Sequence, residues 1–387
     1  MKLPVPGLQE KRPSVIRGDT LLFIYEGKQY RGDVMRVELS HVLVSFHSSL
    51  HRRILNSSRV DVVFEFKRTS LKLLHQGLEK LENLSIAKQI IHPHPSNNSP
   101  RVTPIRSFFN RNLNDQQKNA VSTACSGSYI PCPFIIFGPP GTGKTETMVE
   151  AIKQMHKMST NKILVLAPSN DAADNLLKRL DSIPRSEMFR LTSYSRDKAS
   201  VDEKTMRYSH YESDGFQVPD NFTEYRVIVS TIMMAAKLYN MGFGDDHFNS
   251  FFIDEAGYCW EPEIISILGT LYYRGADVNK MQRCVLAGDP HQLGPIIRSQ
   301  LTLRLGLDKS MIERLTSNES YVYSKNVDLY PDTSGYNPNY IVKLLNCYRC
   351  HPDILKIPNE LFYDCELQSG TSTITIIINN ILFLSLL

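Results

Sequence analysis

The sequence predicts an α/β fold, a parallel sheet covered by helices on both faces, preceded by a small antiparallel β domain. Three observations lead there. Short, almost wholly apolar runs recur at 134–137, 163–166, 227–229, 251–253 and 285–287, separated by longer polar or helical stretches, which is how doubly covered parallel strands read. A glycine-rich loop follows the first run directly. Residues 20–70 have a different rhythm, with β-prone runs at 21–25, 42–46 and 60–66 bounded by turn residues, the signature of a small barrel or sheet.

With 387 residues, 42% apolar and 22% charged, the chain has material for two or three cores and is neither disordered nor fibrous. The net charge of +4 is unevenly placed: residues 1–120 hold nineteen Lys/Arg against ten Asp/Glu, a front able to steer an anionic partner. Seven cysteines scattered from 125 to 365 do not form a secreted disulfide framework. The opening residues lack an apolar targeting core, so a cytoplasmic location is expected.

Taken in order, 1–70 is the accessory β-barrel. Residues 71–104 form a helical stalk, with Leu74, Leu78, Leu81 and Leu84 at helical spacing, and a linker rich in His, Pro, Asn and Ser. A first α/β domain spans 105–325, a second begins over 326–370, and 371–387 is an uncharged, β-prone tail. The tail is too short and polar for a membrane span, and no stable membrane insertion is expected.

Gly138-Pro139-Pro140-Gly141-Thr142-Gly143-Lys144-Thr145 is a P-loop, in which glycines let the backbone wrap phosphates and the next helix presents its free N–H groups. ATP and Mg²⁺ are the expected cofactors: Lys144 to the β/γ-phosphates, Thr145 to the metal. Asp254 and Glu255 end the apolar run 251–253; Asp254 is assigned to the metal and Glu255 to the attacking water. Gly288-Asp289-Pro290-His291-Gln292 ends a third run, with Gln292 set to sense the γ-phosphate or to orient water and Asp289 to brace the loop.

These motifs, in this order, resemble the Armitage-type branch of the superfamily 1 RNA helicases, within the nonsense-mediated-decay group. The front segment 5–15, ending in Gly18-Asp19, and Asp254-Glu255-Ala256-Gly257 followed by Glu261-Pro262-Glu263 carry the branch-level likeness. The resemblance implies a P-loop RecA-like sheet with an accessory barrel, single-stranded RNA as partner, 5′-to-3′ movement, Argonaute-type silencing partners and cytoplasmic ribonucleoprotein granules. It also implies that Gln117, otherwise a helix-surface glutamine, recognises adenine. Ser169, Asn170, Arg196, Ser230 and Thr231 would contact the RNA backbone, and Arg349 of Tyr348-Arg349-Cys350-His351-Pro352 would reach the γ-phosphate. That assignment displaces a covalent haem reading of Cys347-x-x-Cys350-His351. After residue 368 the likeness stops, so the second RecA-like domain is expected to be incomplete. A non-unwinding form that binds nucleotide and RNA is the alternative to an active helicase.

Overall fold

Alternating apolar residues make strands of the front segment, and burying one face of each makes them a sheet. The computed structural model describes residues 2–4, 19–38, 41–46, 50, 60–65, 68–94, 105–158, 160–212, 215–275, 280–297, 299–317 and 322–370. The family-like segment 5–15 and the tail 371–387 therefore lie outside the described residues. The chain divides into two compact units, one of residues 1–72 with 193–200 and 211–217, the other of 73–192, 201–210 and 218–387.

In the first unit β1 (Lys2–Pro4), β2 (Thr20–Tyr25), β3 (Lys28–Val37), β4 (His41–Phe46) and β5 (Asp61–Glu65) form one antiparallel sheet, in the order β1-β4-β3-β2-β5. Leu21 and Phe23, two apart on β2, share a core with Val34, Val42 and Val44, and Phe23 meets Phe46 edge to face at 4.3 Å.

The second unit is built on seven strands: β6 (Phe134–Phe137), β7 (Ile163–Ala167), β8 (Met188–Leu191), β11 (Val227–Thr231), β12 (Ser250–Ile253), β13 (Arg283–Gly288) and β14 (Ile341–Lys343). A short ribbon of β9 (His210–Glu212) and β10 (Gly215–Gln217) lies between β8 and β11 in the chain. The large sheet runs β14-β6-β13-β12-β7-β11-β8 with every pairing parallel. Parallel strands place all their carboxyl ends on one edge, where the loops that bind ligands collect. All five predicted runs are strands of this sheet. β8 and β14 were not read from the sequence, because Arg190 and Lys343 interrupt their apolar character. β14 pairs with β6, so residues 341–343, assigned to a second domain, form an edge strand of the first sheet.

Helical spacing is realised as helices Thr69–Glu82 and Ala87–Ile91, with Leu84 buried in the turn between them. The first crosses helix Glu261–Leu271 at a glycine contact. A Cβ on Gly77 would lie 2.3 Å from Ser266 Cα, and one on Gly269 would lie 2.0 Å from the Gly77 carbonyl oxygen, so no larger residue fits at this crossing.

Candidate nucleotide site

Strand β6 is buried along its whole length, and its ladder continues as the Gly138 N–H donates to the Gly288 carbonyl at 2.9 Å. The loop beyond turns through Gly141 and Gly143, with φ of 75° and 79°, left-handed values that glycine adopts without a Cβ penalty. Thr142 ties the loop internally, its hydroxyl donating to Pro139 O at 2.7 Å. Helix Lys144–Met158 follows, so its N-terminus and the curled loop face the same space.

Into that space the ends of β12 and β13 bring their acids. Lys144 Nζ lies 3.4 Å from Glu255 Oε2. The Thr145 hydroxyl donates to Asp254 Oδ2 at 3.0 Å, and the Glu255 N–H donates to Asp254 Oδ1 at 2.9 Å. Asp254 is only 3% exposed. Burial raises its pKa above the ordinary carboxylate range, with the Lys144 charge opposing, the state of an anion short of cationic compensation. Glu255 has φ 53°, a left-handed backbone that costs a residue with a Cβ energy and is found at functional sites.

Among the described residues no three His, Cys, Asp or Glu converge as metal ligands. A buried carboxylate beside a threonine hydroxyl is instead the hard-oxygen pair that holds Mg²⁺ when phosphate and water complete its shell. The residues present fit that ion.

The carboxylate of Asp289, just past β13, accepts three hydrogen bonds. His291 N and Gln292 Nε2 donate to it at 2.9 Å each, and the Tyr363 hydroxyl at 2.8 Å. Burial and that contact raise the Tyr363 pKa, keeping the phenol a donor. Gln292 is thus aimed by Asp289.

The chain after β14 packs against β6 and the P-loop that follows it. Leu344 N–H donates to Phe137 O at 2.9 Å, and Tyr348 N–H to Gly141 O at 2.8 Å, which sets Tyr348 and Arg349 on a cleft of about 710 Å³ with Gln117, the P-loop residues 138–145, Glu255 and Gln292. The cleft therefore assembles the predicted Gln117, Gly138, Pro139, Pro140, Gly141, Thr142, Gly143, Lys144, Thr145, Glu255, Gln292 and Arg349. Asp254 sits behind Thr145. Gln117 is 4% exposed, which rules out the helix-surface reading. Its Nε2 donates to Thr142 O at 3.1 Å and its Oε1 accepts from Asn114 N at 2.9 Å. The Nε2 end ties the amide to the P-loop, and the Oε1 end closes the capping box of helix Asp115–Ser126.

Sequence reading missed Glu146, Arg179 and Tyr348 on this cleft. Tyr348 could have been found as the neighbour of Arg349. Arg179, the last residue of helix Asn170–Arg179, ion-pairs with Glu146, and no local pattern in the sequence marks that pairing.

The residues assigned to RNA divide. Ser169, Asn170 and Thr231 follow or end the adjacent strands β7 and β11, where Thr231 pairs with Ala167. Ser169 caps its helix, its hydroxyl accepting from Ala172 N at 3.2 Å, and Asn170 Oδ1 accepts from Arg190 Nη2 at 3.0 Å. Ser230 is a correction: it is completely buried and donates to Leu191 O at 3.2 Å, so it braces β11 against β8 and does not face a bound strand. Arg196 belongs to the other compact unit, where its Nη2 donates to Ser200 O at 3.5 Å. Arg190 is fully buried and donates to Asp174 Oδ1 and Leu191 O at 2.7 Å each. Beside the nucleotide cleft lies a second one of about 410 Å³, lined by Ser169, Tyr258 and Leu293 and sharing Glu255 and Gln292 with the first.

Two family models match the chain: the "Helicase MOV-10, beta-barrel domain" over residues 1–64 and an "AAA domain" over 112–215 and 185–300. Putative helicase mov-10-B.1 of Danio rerio is 38% identical over 391 residues, covering 96% of this chain and 37% of that protein. Putative helicase MOV-10 of Gallus gallus is 36% identical over 95% of this chain and 39% of its own length, and Probable RNA helicase armi of Drosophila melanogaster 30% over 95% and 34%. The chain thus spans less than two fifths of these relatives. Among solved structures, an arterivirus nonstructural protein 10 helicase with DNA aligns at 13% identity over 66% of this chain and 44% of that one, with a TM-score of 0.37; the fold assignment rests on the sheet order and the family models.

Proposed function

The chain belongs to the MOV-10 and Armitage family of helicases, and on that premise we propose that it is an RNA-stimulated ATPase, the motor part of an RNA helicase. The observation that carries this reading is the convergence of Lys144, Thr145, Asp254 and Glu255 at one cleft that Arg349, packed beside Gly141 of the P-loop, also lines. Phosphoryl transfer to water builds charge on the γ-phosphoryl oxygens, and catalysis consists of positioning and of stabilising that charge. Bound Mg²⁺, held by Thr145 and Asp254, would neutralise charge on the β- and γ-phosphates. Lys144 and Arg349 both line the cleft in which that group would sit. Glu255, partly exposed at the Lys144 end of the cleft, is placed to take the proton of the attacking water, and Gln292, fixed by Asp289, to orient it.

Single-stranded RNA as the partner is supported by family membership and by Ser169, Asn170 and Thr231 on one sheet edge next to a cleft that shares Glu255 with the nucleotide site. Contacts of that kind position a strand without reading its bases. We extend the reading to 5′-to-3′ movement, RNA-mediated silencing with Argonaute-type partners, and cytoplasmic ribonucleoprotein granules; these rest on the family resemblance alone. The test is ATP hydrolysis with and without single-stranded RNA, for the wild type and Lys144→Ala. RNA should raise the wild-type rate and leave the variant inactive. Equal rates for the two proteins would end the proposal.

A further inference from the structure

The Cys-x-x-Cys-His run plays no part in the phosphate chemistry above, yet its two thiols flank Tyr348 and Arg349, which line the cleft. Cys347 is buried, and its thiol donates to the Pro140 carbonyl of the P-loop at 3.3 Å. Cys350, half-buried and next to the helix-capping His351, is held as a thiol by burial and by the neighbouring Cys347. Between them the Tyr348 N–H donates to Gly141 O at 2.8 Å. Arg349 packs so close that a Cβ on Gly141 would lie 2.6 Å from its own Cβ. The turn that presents Arg349 is therefore fastened to the P-loop through the Cys347 thiol and the Tyr348 amide.

We propose that Cys347 and Cys350 form a disulfide site, oxidised by hydrogen peroxide, and that the disulfide draws Arg349 out of the nucleotide cleft. In the first step the Cys350 thiol is oxidised to a sulfenic acid, as the peroxide O–O bond breaks and one oxygen leaves as water. In the second the Cys347 sulfur attacks the Cys350 sulfur; the S–O bond breaks, and the oxygen leaves as a second water with the Cys347 proton. Two thiols lose two electrons and two protons, and one peroxide becomes two waters.

Two consequences follow from geometry. The Cys347 proton that bonded Pro140 O is gone, so the P-loop loses that fastening. A sulfur–sulfur bond of about 2.05 Å replaces a non-bonded contact, drawing the ends of the 347–350 turn together and shifting the residues between. Burial and the neighbouring Cys347 raise the Cys350 thiol, with Arg349 opposing, so the first step is slow beside that of an exposed thiolate.

The effect on nucleotide rests on the proposed ATP site, whereas the disulfide itself does not, and one experiment reads both. The full chain is treated with peroxide, alkylated, and digested with trypsin without reductant. Cleavage after Arg349 separates residues 344–349 from 350–356, so these peptides stay joined only through the disulfide. The expected result is a joined pair that reductant releases, with ATP binding weakened about tenfold, the effect of roughly one net hydrogen bond, and restored by reductant. Cys350→Ser should bind ATP as the wild type does and ignore peroxide. Peptides that separate without reductant overturn the site. Joined peptides with undiminished ATP affinity overturn its effect on the cleft. A reduced wild type that binds no ATP overturns the nucleotide reading, and the peptides then decide the disulfide by themselves.

Discussion

Asp254 carries the sharpest conflict between stability and chemistry in the site. Its folded-state pKa is raised by burial, so the native state holds its proton more tightly than the unfolded chain does. Between the unfolded carboxylate pKa near 3.9 and the raised value, stability falls as pH rises, and above that value the penalty persists in full. Asp254→Asn, whose amide can still accept from Glu255 N and meet Thr145, should therefore melt about 2–4 °C above the wild type at neutral pH while losing ATP hydrolysis. The gap should narrow as acid protonates the wild-type carboxyl. A variant that melts lower at neutral pH would refute the assignment of an uncompensated buried charge. Glu255→Gln separates binding from chemistry: ATP affinity should hold within about threefold, while hydrolysis falls about 10²- to 10⁴-fold, the typical worth of a positioned general base. Parallel losses in binding and rate would place Glu255 elsewhere in the mechanism.

At the scale of elements, two buried devices hold the sheet and its helices. Arg190 bridges Asp174, Asn170 and the Leu191 carbonyl with no exposure of its side chain. Removing it by Arg190→Ala should cost about 3–5 kcal/mol, because buried Asp174 loses its guanidinium partner. Replacing both with Arg190→Ala and Asp174→Ala should cost less than the single change, which urea unfolding of the double-mutant cycle would reveal. Gly269→Ala is the opposite of an ordinary stabilising glycine replacement: its Cβ would lie 2.0 Å from Gly77 O. It should cost about 1–3 kcal/mol by forcing the helices apart, again read by urea unfolding. These devices also mark the limits of the sequence. Apolar runs and the P-loop spacing made five strands and most of the phosphate site legible, because fully buried parallel strands and phosphate cradles have short, local signatures. Arg190 hid β8 by placing a charge in the core, and Lys343 did the same for β14. Ser230 looked available because a polar residue at a strand end usually is, and only the neighbouring Leu191 carbonyl shows why this one is not.

For the whole molecule, the uneven charge becomes a statement about affinity. A surplus of nine cations in residues 1–120 predicts that RNA binding weakens steeply with salt, with a log–log slope of about 0.7 per phosphate contact on single strands. A slope near zero would mean that charge in the front segment has no share in the interface. The site at this scale is a product of topology: its phosphate loop follows β6, its acids follow β12 and β13, and its arginine wall follows β14. Such non-local convergence is invisible to any window on the sequence. The acids were read from the apolar runs they end, whereas Gln117 and Arg349 were reached only through the resemblance to a known family.

The pairing of β14 with β6 joins Ile341 to Ile135 across about two hundred residues. On a ribosome adding about 5–20 residues per second, the outer edge of the phosphate-loop strand stays open for roughly 10–40 seconds after it is made. Unpaired strand edges recruit other strands, so birth is when this motor is most exposed to misassembly, and chaperone demand during synthesis should depend on how soon residues 341–343 emerge.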